Sequence, residues 1–150
     1  MEPFIKPVEI LLVEDNLGDI DLTREALANG KLHNTLHVVR DGEAAMAFLR
    51  REGKYADVPC PGMVLLDLSL PKKDGWAVLT EMKSDKNMKH IPVVILTTSK
   101  AEEDILKSYD LHANCFITKP IELSQFIKVV QAIEEFWLTI VKLPSNGGKK

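Results

Sequence analysis

Five short apolar runs alternate with longer segments of helical periodicity from one end of the chain to the other, and this alternation limits the fold more than any other feature. The runs are Val8 to Val13, Leu36 to Val39, Met63 to Leu66, Pro92 to Leu96, and Cys115 to Thr118 with Asn114 just before it. The first, third and fourth are apolar at nearly every position. That suits central strands of a parallel sheet covered by helices on both faces.

Helical patterns fill the intervals. Asn16 is placed to cap a segment running to about Ala28, with Asn29-Gly30 as its stop. Glu43 to Arg51 follows Asp41-Gly42 and spaces Ala44, Ala45, Phe48 and Leu49 along one face. Trp76 to Lys83 follows a Pro-Lys-Lys-Asp-Gly turn. Glu102 to Leu111 carries three acids in its first turn, where the helix dipole favours them, and Glu122 to Val141 is the longest segment. Strict alternation with right-handed crossovers yields an α/β fold of five parallel strands. Gly53 to Gly62, with Pro59 and Pro61, reads as a long surface loop, and residues 144–150 as a frayed tail.

A chain of 150 residues and 16.8 kDa holds about one domain on the usual size prior. The expected organisation is one domain over 1–150 with its core at about 8–141. A formal charge of −3 argues against a nucleic-acid or anionic-membrane footprint. No run approaches the roughly 18 apolar residues of a spanning helix, and the first residues do not read as a signal peptide. Cys60 and Cys115 lack close Cys or His partners and read as free thiols. A cytoplasmic setting is the expectation.

In open parallel sheets, ligands bind beyond the carboxyl ends of the strands. Glu14 and Asp15 follow the first run, Asp67 the third, Thr97 and Thr98 end the fourth, and Lys119 and Pro120 follow the fifth. Taken singly, Asp15 or Asp67 suits a helix cap or a turn, and Thr97 and Lys119 are bland. Their joint placement at strand ends is what points to a site. Crowded carboxylates repel, and a divalent cation relieves them; with oxygen donors alone, Mg²⁺ fits better than Zn²⁺. An Asp beside such an ion can act as a nucleophile on phosphorus, with Lys119 and Thr97 stabilising the phosphoryl oxygens.

The segments ILLVEDN (Ile10 to Asn16), LLDLSLP (Leu65 to Pro71), KKDG (Lys72 to Gly75), VVILTT (Val93 to Thr98) and ITKP (Ile117 to Pro120) together resemble the response-regulator receiver domain of two-component signalling. The resemblance implies a flavodoxin-like (βα)5 fold with strand order 2-1-3-4-5. It also implies a phosphorylation switch rather than an enzyme, limited at most to self-phosphorylation and self-dephosphorylation. Asp67 would accept a phosphoryl group from a sensor histidine kinase. Asp15, Asp67 and the Ser69 backbone carbonyl would ligate Mg²⁺, with Glu14 acting through a water. Lys119 would pair with the phosphoryl group beside a cis bond to Pro120, Thr97 would swing towards it, and Phe116 would follow as the switch aromatic. Ser69 and Ser99 match positions that tune phosphate lifetime. Gly53 to Gly62, Ser99 to Ile105 and Ile133 to Pro144 further resemble stand-alone regulators partnered with bacterial and cyanobacterial phytochrome kinases.

In the last helical segment Phe126, Val130, Ile133, Trp137 and Ile140 make one stripe, while Ile127, Val129, Phe136, Leu138 and Val141 lie largely off it. The surplus suits a homodimer surface that includes Phe136, Leu138 and Val141, or a wide core stripe closed by Phe4 to Pro7. His33 and His37 are expected to be structural. The competing readings are weaker on the residues. A Mg²⁺-dependent phosphohydrolase with an Asp nucleophile would carry a second acid two positions on, where Ser69 stands. A flavodoxin-like cofactor domain needs a Gly- and hydroxyl-rich phosphate loop where Glu14 and Asp15 stand.

Overall fold

The computed structural model describes residues 7–29, 33–97 and 115–118, together with Ser124 and Lys128. The described elements run in the order β1 (Val8–Val13), α1 (Leu17–Asn29), β2 (Asn34–Val39), α2 (Gly42–Arg50), a 3₁₀ turn (Gly53–Tyr55), β3 (Met63–Asp67), α3 (Gly75–Ser84), β4 (Val93–Thr97) and β5 (Cys115–Thr118). All strand pairs are parallel, and the sheet order is β2-β1-β3-β4-β5. The three most apolar runs therefore occupy the three inner places of the sheet.

Each inner strand is divided between two cores by the two-residue period of extended chain. Leu11, Val13, Val64, Leu66, Val93 and Ile95 face one layer, with Ala45, Met46 and Phe48 of α2 and Val78, Leu79 and Met82 of α3. Ile10, Leu12, Met63, Leu65, Val94 and Leu96 face the other, with Ile20, Ala26 and Leu27 of α1. Because both faces are covered, no position within β3 is left for a polar residue until its last one.

Side-chain caps set the starts of the helices. Asn16 Oδ1 accepts from the Asp19 N–H at 2.9 Å, Asp41 Oδ1 from Ala44 N–H at 2.7 Å, and Asp74 Oδ1 from Ala77 N–H at 2.9 Å. These bonds start α2 and α3 at Gly42 and Gly75, one residue before the sequence expectation. Strand β2 likewise begins two residues early, at Asn34. Helix α2 ends with Arg51 in the left-handed region at φ 56°, its N–H donating to Phe48 O and that of Glu52 to Ala47 O.

The stretch Gly53 to Gly62 is not simply a surface loop. Tyr55 and Val58 pack against the core below α2, and Pro61 is buried. Its length is used to close the lower edge of that core. His37 is structural, as expected: Nε2 lies 2.7 Å from Glu9 Oε1 and the ring is tilted against Phe48 at 5.3 Å. The segments Glu102 to Leu111 and 144–150 lie outside the described residues, as does most of Glu122 to Val141, of which Ser124 and Lys128 are helical.

Candidate functional site

Strand register brings the site together. Val13 of β1 pairs with Val39 of β2 on one side and with Leu66 of β3 on the other, so the next residues, Glu14, Arg40 and Asp67, stand at one level across three adjacent strands. Val13, Val39 and Leu66 face α2 and α3, so by alternation the three residues after them fall on the α1 side of the sheet. The N-terminus of that helix closes the same space, and Asn16, Leu17 and Gly18 line a cleft of about 600 Å³ together with Glu14, Asp15, Arg40, Asp67 and Ser69.

Within the cleft the acids are held differently. Asp67 is 3% exposed, and its Oδ1 accepts the Ser69 N–H at 3.0 Å, which orients the carboxylate at the end of a wholly buried strand. Glu14 is fully buried, and Oε2 accepts the Asn16 N–H at 3.1 Å. Asp15 is exposed at the rim. There Arg40 Nη2 donates to the Asp15 backbone carbonyl at 2.9 Å and lies 3.5 Å from Oδ1. Leu17, on the same rim, is 63% exposed.

Two close backbone approaches fix the loop that carries Ser69. A Cβ on Gly75 would lie 2.3 Å from the Asp67 carbonyl oxygen and 2.6 Å from Leu68 Cα. One on Gly42 would lie 1.8 Å from the Lys73 carbonyl oxygen. Only glycine lets α2 and α3 start so near the loop. Lys72, with φ at 67°, turns the loop between these contacts and sets Nζ 3.7 Å from Asp41.

The structure thus gathers Glu14, Asp15, Asp67 and Ser69 as expected. Thr97 is the last residue of β4, one register step beyond Leu96, the partner of Asp67, and Phe116 pairs with Ile95; for both, the description is of the backbone. Ser99, Lys119, Pro120, Phe136, Leu138 and Val141 lie outside the described residues. Arg40 was not anticipated. Its only signal in the sequence is its place directly after β2.

The donors facing the cleft are oxygens, which suits a hard divalent cation. Among the described residues no three His, Cys, Asp or Glu side chains converge as a ready-made cage. The three acids share a cleft rather than a point.

Residues 10–131 match the response regulator receiver domain. The chain belongs to the response-regulator receiver family. As a receiver it is a signalling protein rather than a dedicated enzyme, which sets aside the phosphohydrolase reading. It is 50% identical over 139 residues to the response regulator Rcp1 of Synechocystis sp., covering 93% of this chain and 95% of that protein. The crystal structure of the phosphorylated cyanobacterial phytochrome response regulator RcpA is similar with a TM-score of 0.76 and 56% identity, over 90% of this chain and 96% of that one. The Mn²⁺-bound form of Rcp1 is similar with a TM-score of 0.75 and 51% identity, over 88% and 95% of the two chains. Among the described residues of this receiver no helix is long and apolar enough to cross a membrane.

Proposed function

We propose that this receiver takes a phosphoryl group from a phytochrome-type sensor histidine kinase onto Asp67 in a Mg²⁺-dependent step in the cytoplasm. The observation that carries the reading is the position of Asp67. It is a nearly buried carboxylate at the end of a central strand, oriented by the Ser69 N–H and facing a cleft lined by Glu14 and Asp15. Similarity to the phosphorylated cyanobacterial phytochrome response regulator RcpA supports the donor, and similarity to the Mn²⁺-bound form of the response regulator Rcp1 supports a divalent cation.

In the transfer, an Asp67 carboxylate oxygen forms a bond to phosphorus as the bond from phosphorus to the donor's imidazole nitrogen breaks, and the imidazole leaves with its electron pair and takes up a proton. Asp67 acts as the nucleophile, held by Ser69 in a fixed orientation. Asp15, Asp67 and the Ser69 carbonyl would hold the ion, with Glu14 bonding through a water; when bound, the ion neutralises the acids and the incoming phosphoryl oxygens. Lys119 and Thr97 would supply an ammonium and a hydroxyl to those oxygens, and Phe116 would follow Thr97. Output then passes through the receiver's own surfaces, including a homodimer face at Phe136, Leu138 and Val141. Any self-phosphorylation from small donors and self-dephosphorylation use the same residues.

Mass spectrometry of the intact protein after incubation with acetyl phosphate and Mg²⁺ tests this. Wild type should gain one phosphoryl group, and Asp67→Asn or removal of Mg²⁺ should abolish the gain. Equal labelling of Asp67→Asn would overturn the assignment.

A further inference from the structure

The cleft already contains a cation of its own. Arg40 reaches from the end of β2 across to the loop after β1, where its guanidinium is anchored on the Asp15 carbonyl at 2.9 Å and stands 3.5 Å from Asp15 Oδ1. Both side chains are about half exposed. The contact is therefore a rim interaction, screened by solvent and readily rearranged.

The geometry points to Arg40 as a built-in competitor of the divalent cation at Asp15, a residue that sets how much of the ion the receiver needs before its acids are neutralised. This inference rests on the reading of the cleft as a divalent-cation site. Two effects act in the same direction. A cation that takes Asp15 displaces the guanidinium from Oδ1, and whatever positive charge stays on the carbonyl anchor repels the ion. Arginine cannot relieve this by losing its proton. Because the anchor is the backbone carbonyl of Asp15 itself, the guanidinium is kept near the site even while it yields the carboxylate.

The contrary role is equally concrete. If the bond to the Asp15 carbonyl mainly positions Asp15, loss of Arg40 would weaken ion binding instead of strengthening it. Titration of wild type, Arg40→Gln and Arg40→Glu with Mn²⁺, followed by the free-ion spin-resonance signal and repeated with Mg²⁺ by calorimetry, separates the two without any phosphorylation assay. For a half-exposed ion pair, Arg40→Gln should bind the ion about two- to fivefold more tightly than wild type. Arg40→Glu should bind more tightly still, and the gap between wild type and Arg40→Gln should narrow as salt is raised. Equal or weaker binding by Arg40→Gln, with wild type binding normally, overturns the inference and leaves the site standing. Failure of all three proteins to take up either ion overturns both.

Discussion

Glu81 of α3 accepts from Lys73 and, at 2.9 Å, from Arg50 of α2, so one carboxylate ties the loop after β3 to both helices of that face. The bond from Lys73, with that from Arg50 and the charges of both, holds its carboxyl below the ordinary value of 4.5 against a smaller opposing effect of burial. A depressed folded-state value means that the stabilisation is fully present above about 4.5 and is lost as pH falls through the lower folded value. Glu81→Gln should cost about 0.5–1 kcal/mol at pH 7, since the three side chains are each close to one-third exposed. Urea denaturation of both proteins at pH 7 and pH 3 should show the difference shrinking in acid. An undiminished gap at pH 3 would mean that packing rather than charge holds Glu81.

At the level of elements, the acidic loop is held in place by how closely α2 and α3 begin beside it. Gly75→Ala would drive a methyl into the Asp67 carbonyl and Leu68 Cα, backbone atoms that move only if the end of β3 moves. A loss of about 2–3 kcal/mol is expected, read from the urea midpoint. Metal uptake should weaken with it, because the displaced atoms belong to Asp67, the proposed acceptor, and its neighbour. Neither glycine contact was legible in the sequence, where Asp41-Gly42 stood only as the pair before a helical segment and Asp74-Gly75 as part of a turn and of the KKDG motif. What makes glycine necessary is the approach of a distant chain segment, and that has no local signature. The strands were legible for the opposite reason. Burial on two faces requires continuous apolar runs, and such runs can be read without knowing the partners. β2 was read short because Asn34 and Thr35 lie on an edge strand, where polar residues are tolerated. Arg40 was missed because its role depends on β2 lying beside β1.

For the whole molecule, the proposed homodimer is tested by sedimentation equilibrium over a hundredfold range of concentration, with and without phosphorylation. The average mass should rise towards twice the monomer mass and should stop rising in a variant carrying Phe136→Ser and Leu138→Ser. A mass independent of concentration throughout would leave the wide core stripe as the use of those apolar residues. The described sheet also has a consequence for how such a protein can change. Met63 to Leu66 are buried in strict alternation on two faces, and Asp67 is the next step of that series. Adding or removing one residue in β3 would turn Asp67 to the opposite face and exchange every core side chain behind it. The chemistry is thus indexed by counting along the strand. Loops around the site can lengthen or shorten over time, but the proposed acceptor can be altered only by replacement, never by sliding.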